Sequence, residues 1–310
     1  MRLSSTALAV SLLLLLTVSC VSSPSSSGGD DTLSILFTGD VLLDRGVRPV
    51  AERRGIDYLF QEVEPYFRMA DAVVVNLECP LTDTLSPLSK QYIFRGDARW
   101  AEALRRAGIT HAALANNHTI DQGCRGLQAT WKHLVQAGIV PLGYGCSLDE
   151  QLAPVIVRKG SLSVALFNAV TLPLENWVCA EGRPGICQPS ATQLSDAVSR
   201  YRRSHPEQPI AVVLHWGTEF QPQPSMSQRR LARRLADAGA DVIVGHHPHI
   251  LQPIDTLGHT LVFYSLGNFI FDQRQPLARR SMMLRLHFCP GAPVSFDTIP
   301  VHIRQCRPCP

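Results

Sequence analysis

Short apolar runs recur along the chain from residue 32 onward, and polar or turn-forming residues follow most of them. Runs of this length with turn residues behind them are typical of buried β-strands. Between the runs lie longer stretches in which apolar residues recur at helical spacing, which predicts amphipathic helices. The predicted strands are residues 33–38, 72–76, 111–114, 162–167, 210–214, 242–244 and 261–264, and the predicted helices are residues 56–69, 98–107, 124–137, 191–203 and 227–238.

The alternation of strands and helices predicts an α/β layered domain. Residues 282–303 alternate less regularly, and we expect them to add edge strands. No linker-like stretch follows residue 32, so we predict one domain over residues 32–310. Hydrophobic residues make up 45% of the chain, which excludes a disordered protein. The formal net charge is only +3, and this balance predicts no nucleic-acid partner.

The first 20 residues have the pattern of an export signal. A positive charge at Arg2 precedes an apolar segment over residues 7–18, which is shorter than the roughly 20 apolar residues of a membrane-spanning helix. Small residues then precede Cys20, which resembles the lipobox of bacterial lipoproteins, whose cysteine carries the lipid. The alternative is a plain secretory signal with a chance cysteine. The lipoprotein interpretation predicts an exported protein, anchored through Cys20 on the extracytoplasmic side of the membrane, with the Ser- and Gly-rich residues 21–31 as a flexible tether.

Eight cysteines remain after Cys20. An even number of cysteines in an exported chain permits disulfide bonds, although the pairing cannot be read from the sequence. The candidates that lie near each other along the chain are Cys179 with Cys187, and Cys289 with Cys306 or Cys309.

Polar side chains follow the predicted strands at the point where each strand ends. Because the carboxyl ends of strands in an open α/β sheet form its ligand-binding crevice, we expect these side chains to meet at one edge. Each residue alone also has a structural interpretation: Asp40 as a turn residue, Asp121 as a helix cap and His215 as an interior histidine. Three histidines within residues 246–249 are harder to explain without a metal ion. The candidate residues are Asp40, Glu78, Asn117, His118, His215, His246, His247 and His249.

A set that mixes carboxylate, carboxamide and imidazole groups suits divalent ions such as Zn, Mn or Fe. Such an ion activates water near neutral pH, and a nearby histidine can protonate the leaving group. His118 is placed for that role beside the candidate ligand Asn117. Arg45 and Arg95 are candidates for binding an anionic substrate, since a guanidinium offers a planar pair of donors. The alternative for both arginines is a structural ion pair.

Motifs in a fixed order span residues 33–272. They are Gly39-Asp40 with Arg45, Asn76-Leu77-Glu78, Phe94-Arg95, Asn116-Asn117-His118, His215-Trp216-Gly217-x-Glu219, Gly245-His246-His247-Pro248-His249 and Ser265-Leu266-Gly267-Asn268. This ordered set resembles the CapA family of capsule and poly-γ-glutamate biosynthesis proteins, which in turn resembles a branch of the calcineurin-like metallophosphoesterases.

The resemblance implies a four-layer α/β/β/α sandwich with one or two divalent metal ions between the strand ends. It implies that Glu78 stands where the bridging carboxylate belongs and that His118 is the acid histidine, with His246 competing for the place of a ligand. The metal ligands that it implies are Asp40, Glu78, Asn117, His215, His247 and His249.

The sequence departs from the phosphoesterase pattern in two places. Leu42 occupies the position of a second histidine ligand, and Asn76-Leu77-Glu78 replaces a Gly-Asp-x-x-Asp motif. Relative to the phosphoesterase pattern, one metal ion has four ligands, Glu78, Asn117, His215 and His247. The other ion has only Asp40, Glu78 and His249, one ligand fewer than tetrahedral coordination requires. Cys79 and Cys124 lie beside the site residues and are either bridged or free.

Three functions remain open at this point. The first is a membrane-anchored protein for capsule or poly-γ-glutamate synthesis or export, with an anionic polymer as substrate and capsule synthesis or export proteins as partners. The second is a metal-dependent phosphoesterase of the cell envelope without a polymer role. The third is a binding lipoprotein that keeps the fold without catalysis, which the departure at Leu42 favours.

Overall fold

Apolar residues that alternate along the strands build two β-sheets, which pack face to face in the computed structural model. The structure describes residues 32–177 and 182–310. The predicted signal peptide with Cys20, the predicted tether and Cys179 lie outside the described residues.

The seven predicted strands all overlap strands of the structure, which contains further short strands. In chain order the strands are β1 (Leu33–Val41), β2 (Ala72–Leu77), β3 (His111–Ala113), β4 (Val140–Leu142), β5 (Tyr144–Gly145), β6 (Val155–Lys159), β7 (Leu162–Val170), β8 (Gly185–Ile186), β9 (Ile210–His215), β10 (Val242–His246), β11 (Ile254–Leu257), β12 (Thr260–Phe263), β13 (Asn268–Ile270), β14 (Arg280–Phe288), β15 (Ser295–Arg304) and β16 (Arg307–Cys309).

The helices lie between the strands, as the sequence predicts. They are α1 (Arg48–Arg54), α2 (Glu64–Arg68), α3 (Trp100–Arg106), α4 (Gly123–Gln136), α5 (Leu148–Leu152), α6 (Ala191–Ser204) and α7 (Met226–Asp237), with single 3₁₀ turns at Ile56–Leu59 and Leu277–Arg279. Helices α6 and α7 each begin with a capping box, formed by Ser190 with Gln193 and by Ser225 with Gln228. These boxes satisfy backbone N–H groups that the first helical turn leaves without partners.

The first sheet has the strand order β16-β15-β14-β1-β2-β3-β4, and β13 also pairs with the end of β1. Strands β1 to β4 are parallel, as are β1 and β13. The second sheet has the order β11-β12-β10-β9-β7-β6, with β7, β9, β10 and β12 parallel, and β5 pairs with β8 in a separate two-stranded sheet. Each large sheet therefore has a parallel centre whose carboxyl ends lie along one edge.

Side-chain alternation separates the hydrophobic core into three layers. Ile35 and Phe37 of β1 pack between the two sheets, whereas Leu36 faces the helices that cover the first sheet. On β9, Val213 packs between the sheets and Val212 packs with the helices over the second sheet. Helices α1, α2 and α3 cover the first sheet, and α6 and α7 cover the second. The architecture is thus the four-layer α/β/β/α sandwich that the family resemblance implies.

Two predicted elements were wrong in detail. The predicted helix over residues 56–69 is two short pieces, because Pro65 lacks the N–H that a continuous helix needs there. The predicted edge strands in residues 282–303 lie inside the first sheet, since β14 pairs with β1 on one side and with β15 on the other. The alternating Leu284 and Leu286 of β14 are buried between the sheets, which explains its inner position.

The candidate pairing of Cys289 with Cys306 or Cys309 is not formed in this structure. Among the described residues, Cys79, Cys124, Cys289, Cys306 and Cys309 are free thiols. Cys289 follows β14 at one end of the β14–β15 hairpin, and Cys306 follows β15 at the other end. A ten-residue strand such as β15 spans about 33 Å, far beyond the reach of a disulfide bond.

Within residues 32–177 and 182–310, no helix is both long enough and apolar enough to span a membrane.

Candidate metal centre

The candidate site lies where the central parallel strands of both sheets end. Asp40 near the end of β1 pairs in register with Asn76 of β2 and with Asn268 of β13. In the second sheet, the last residue of β9, His215, pairs with the last residue of β10, His246. Each of these side chains is buried, so the two sheets bring polar groups together in a place that water barely reaches.

Asp40 is fully buried and is held from three sides. Its Oδ1 accepts a hydrogen bond of 2.8 Å from Asn76 Nδ2, and its Oδ2 lies 3.1 Å from His249 Nδ1. His246 Nδ1 lies 3.3 Å from Oδ1. Burial alone raises the pKa of Asp40, but the hydrogen bonds and charges of His246 and His249 outweigh it and hold that pKa well below its ordinary value. Asp40 is therefore a carboxylate in the folded protein.

Glu78 follows β2 and is fully buried. Its Oε1 lies 3.8 Å from His215 Nε2 and 3.7 Å from His249 Nε2. Neither carboxylate oxygen has a hydrogen-bond partner among the residues that the structure describes. Burial raises the pKa of Glu78 well above its ordinary value, and the negative charge of Asp40 adds to this effect. A buried carboxyl group between two imidazoles, without hydrogen bonds of its own, is what a cation site requires of the protein.

Asn117 is placed by a loop that hydrogen bonds hold in shape. The side chain of the preceding Asn116 donates to the carbonyl of Leu77 at 2.9 Å, and its Oδ1 accepts from the backbone N–H groups of His118 and Thr119. This arrangement puts Asn117 Oδ1 2.8 Å from His215 Nε2. The predicted ligands Asn117 and His215 therefore meet, although they are far apart in the sequence.

His247 and His249 follow β10 on a loop with unusual backbone angles. Their φ angles are 96° and 59°, in the left-handed region that residues other than glycine rarely adopt. The ring of His247 lies 4.8 Å from that of His215, and the rings of His247 and His249 are 5.8 Å apart. Such backbone strain persists where the surrounding structure fixes it, and it is common at functional sites.

Three overlapping groups of side chains within the described part of the chain have the composition and spacing of metal sites. In each group the donor atoms lie within 4.8 Å of one another, and His246 is in none of the three. The groups are Glu78 with His215 and His247, Asp40 with Glu78 and His249, and Glu219 with His247 and His249.

The protonation of two of the three histidines also fits a metal ion. Burial lowers the pKa of His215 well below its ordinary value, and burial together with the charge of His249 lowers the pKa of His247 to about 3. Both rings are therefore neutral and keep a lone pair for a metal. For His249, burial lowers the pKa, but Glu78 and Asp40 raise it to about 9. Nδ1 of His247 is buried without a partner among the described residues, as are both oxygens of Glu78, so the residues present fit a divalent ion.

His118 lies beside this cluster with its ring fixed on two sides. Its Nδ1 is 2.8 Å from Asp121 Oδ2, and its ring packs at 4.1 Å against that of Phe94. Burial lowers the pKa of His118 more than Asp121 raises it. Asp121 also accepts a hydrogen bond of 2.7 Å from the backbone N–H of Phe94 and forms an ion pair with the buried side chain of Lys90. The alternative interpretation of Asp121 as a helix cap was therefore wrong.

The two arginines predicted to bind substrate have different surroundings. The guanidinium of Arg45 lies between the rings of Phe94 and Phe271, at 5.0 and 5.2 Å from their centres, and pairs with Asp272. Phe271 in turn packs 4.8 Å from His249, so Arg45 is at the rim of the cluster. The side chain of Arg95 donates to the carbonyl of Thr82 at 3.4 Å, which is a contact within its own loop.

Several side chains that shape the site have no role predicted from the sequence. Asn268 Oδ1 lies 3.0 Å from His249 Nδ1, and Asn76 links Asp40 to His215. Both residues belong to the motifs quoted above, so their position next to a strand end was the available signal. Lys90 lies in an irregular loop with no motif or period, and nothing in the sequence marks it as buried.

The chain is also similar to known proteins. The family described as "Bacterial capsule synthesis protein PGA_cap" matches residues 34–273. The chain belongs to the PGA_cap family. Two similar relatives are the PGA biosynthesis protein CapA of Bacillus subtilis (strain 168) and the capsule biosynthesis protein CapA of Bacillus anthracis. They are 32% and 30% identical to this chain over 91% of its length, and the matches cover 74% and 70% of those proteins.

A solved structure supports the fold assignment of this PGA_cap family member. The NAD nucleotidase NadN of Haemophilus influenzae superimposes with a TM-score of 0.50 over 87% of this chain, at 16% sequence identity. The matched region spans half the length of that protein. Similarity at this level of identity shows a shared fold and nothing about the reaction.

Proposed function

We propose that this protein serves capsule or poly-γ-glutamate synthesis or export at the cell envelope, and that its cluster of strand-end residues is a divalent-metal site of the hydrolase type. The names of the Bacillus relatives support the first half of this proposal. The lipobox-like sequence before Cys20, followed by the Ser- and Gly-rich residues 21–31, supports anchoring of the domain over residues 32–310 to the membrane by a lipid.

The observation that carries the second half is the state of Glu78. A fully buried carboxyl group whose two oxygens have no hydrogen-bond partner among the described residues costs the folded protein about 1–3 kcal/mol or more. Asp40 and three histidines surround it, and a cation shared by these groups removes the cost. A purely structural role for Glu78 offers no such compensation.

The residues that would hold one or two ions are the six predicted ones. When bound, a divalent ion such as Mn, Zn or Fe supplies Lewis-acid chemistry and makes water a stronger nucleophile near neutral pH. The ligands in this proposal are Asp40, Glu78, Asn117, His215, His247 and His249.

The protein's own groups complete the proposed chemistry. Nδ1 of His118 is engaged by Asp121, which leaves Nε2 as the nitrogen that can carry a proton to or from a leaving group. Arg45, partly exposed at the rim, offers a guanidinium to a carboxylate or phosphate of the substrate. The substrate in this proposal is the anionic polymer or its point of attachment, and Arg95 remains a predicted second anion contact.

Metal analysis of the purified full-length chain tests the proposed site. We expect at least one divalent ion per chain, and loss of that ion in His247→Ala. The matched control is His259→Ala, in the exposed turn between β11 and β12, which should keep the full metal content. Retention of all metal in His247→Ala would show that His247 is not a ligand.

Two further measurements test the cellular role. Hydrolysis or transfer on poly-γ-glutamate is compared with hydrolysis of a phosphodiester such as bis-p-nitrophenyl phosphate. Activity on the phosphodiester alone would favour an envelope phosphoesterase without a polymer role, and activity on neither substrate would favour a binding lipoprotein. Replacement of Cys20 by Ala should move the protein out of the membrane fraction; unchanged membrane association would exclude the lipid as the anchor.

A further inference from the structure

Glu219 lies on the solvent side of the buried cluster. Its side chain is exposed, unlike Asp40 and Glu78, yet its carboxylate lies within 4.8 Å of donor nitrogens of both His247 and His249. Neither the residue pattern nor the family resemblance assigned a role to this position. The structure therefore places a third carboxylate at the mouth of the candidate metal centre.

Hydrogen bonds on both sides of Glu219 hold it next to the histidine loop. The backbone N–H of Trp216 donates to the carbonyl of His246 at 3.1 Å, and that of Phe220 donates to the carbonyl of Pro248 at 2.9 Å. One residue further along, the carbonyl of Gln221 accepts a bond of 2.8 Å from the side chain of Gln252. The segment that carries Glu219 is thus tied to the segment that carries the histidines, so their spacing is a built feature.

The backbone at this place adds a second sign of a fixed geometry. Phe220 has a φ angle of 58°, in the left-handed region that is unfavourable for an aromatic residue. His247 and His249, on the opposite segment, have left-handed angles as well. Three such residues around one carboxylate indicate that the fold holds the side chains in these directions despite the local cost.

The donors that Glu219 approaches belong to both parts of the cluster. His247 also lies in the group with Glu78 and His215, and His249 also lies in the group with Asp40 and Glu78. The second of these groups supplies three donors, whereas a tetrahedral ion takes four. Carboxylate oxygen is a suitable fourth donor for Mn, Zn or Fe.

We propose that Glu219 is a ligand of the metal centre, binding a divalent ion from the solvent side together with His249 or His247. This inference rests on the metal centre of the proposed function. It adds a ligand on the segment that follows β9 to the six ligands already proposed at or near the strand ends.

Metal binding without any substrate tests the proposal. The full-length chain is stripped with a chelator and titrated with Mn²⁺ in a calorimeter, and its Co²⁺ form is recorded by visible absorption. In Glu219→Gln we expect the affinity for one ion to fall about tenfold or more, and the Co²⁺ bands to change, because the ligand set has changed. The control is Glu207→Gln, a glutamate after α6 that is also exposed, which should match the wild type in both measurements.

Each result separates the two proposals. A wild type that binds Mn²⁺ and a Glu219→Gln variant with unchanged affinity would overturn the role of Glu219 and leave the proposed centre intact. A weaker affinity with an unchanged Co²⁺ spectrum would also overturn it, since the carboxylate would then act only through its charge. A wild type that takes up no divalent ion would overturn both. Because Glu219 is exposed, the metal-free variant should unfold at the wild-type temperature, which checks that its fold is intact.

Discussion

The ion pair between Lys90 and Asp121 gives a sharp test of how the loop over the candidate site is held. Only 3% of the Lys90 side chain and none of the Asp121 side chain is exposed. Besides Asp121, the ammonium group donates to the backbone carbonyl of Asn117. Lys90 therefore ties the loop between β2 and α3 to the segment that carries Asn117 and His118.

Replacing Lys90 by Met removes the charge and keeps most of the side-chain volume. Loss of one partner of a buried ion pair typically costs about 3–5 kcal/mol, because the other charge stays buried. Asp121 keeps two donors, the N–H of Phe94 at 2.7 Å and the ring of His118 at 2.8 Å. We therefore expect the lower end of the range, about 3 kcal/mol of lost unfolding free energy.

Urea unfolding of Lys90→Met and the wild type measures this cost as a lower midpoint with an unchanged slope. The matched control is Lys132→Met on the exposed face of α4, which should lie within about 0.5 kcal/mol of the wild type. The double variant Lys90→Met with Asp121→Asn should lose less unfolding free energy than the sum of the losses in the two single variants. A loss below about 1 kcal/mol in Lys90→Met would refute the reasoning, because the buried charge would then need no partner.

Three further changes have defined outcomes. Gly39→Ala should cost more than about 3 kcal/mol in thermal unfolding, because a Cβ atom there would lie 2.1 Å from the carbonyl oxygen of Gly267. Burial lowers the pKa of His111 to about 4, so between pH 6.5 and 4 the unfolded chain binds a proton that the folded chain does not, and the wild type loses stability as the pH decreases. His111→Gln should reduce this loss of unfolding free energy by up to about 3 kcal/mol. Glu78→Gln should abolish the rise in melting temperature that divalent ions give, without lowering the melting temperature of the metal-free protein.

A different result would contradict each of these three predictions. A melting temperature near that of the wild type in Gly39→Ala would mean that the close approach of β1 to residue 267 is not required. For the pH prediction, the exposed His259→Gln is the control, and equal pH profiles of both variants would remove His111 from the explanation. For Glu78→Gln, a persisting metal-dependent rise in melting temperature would place the ion elsewhere.

The centres of both sheets could be predicted because their signal is local. Each central strand is an apolar run, and the residue pattern itself decides which side chains face which layer, as at Ile35 and Leu36. Candidate ligands could be found for the same reason, since Asp40, Glu78 and His215 stand at or just after strand ends. The topology of parallel strands then brings them together without further information.

The parts that could not be predicted depend on contacts between distant segments. Strand β14 looked like an edge element because its own sequence does not show that β1 lies beside it. Asp121 looked like a helix cap because Lys90 and Phe94 are 31 and 27 residues away. Glu219 belongs to the quoted motif after β9, but its approach to His247 and His249 depends on hydrogen bonds between its segment and the histidine loop, which only the folded chain shows.

The position of β1 in the first sheet has a consequence for the order in which the chain can assemble. Leu33, at the start of β1, pairs with Phe288 near the other end of the chain. At a synthesis rate of roughly 5–20 residues per second, the first strand waits on the order of ten seconds or more for this neighbour. During that interval an apolar strand with open hydrogen-bonding groups is available to other chains, which exposes the unfinished chain to aggregation. Nonsense mutations that remove only residues 295–310 would leave every candidate ligand in the chain and still deprive β14 of its partner β15.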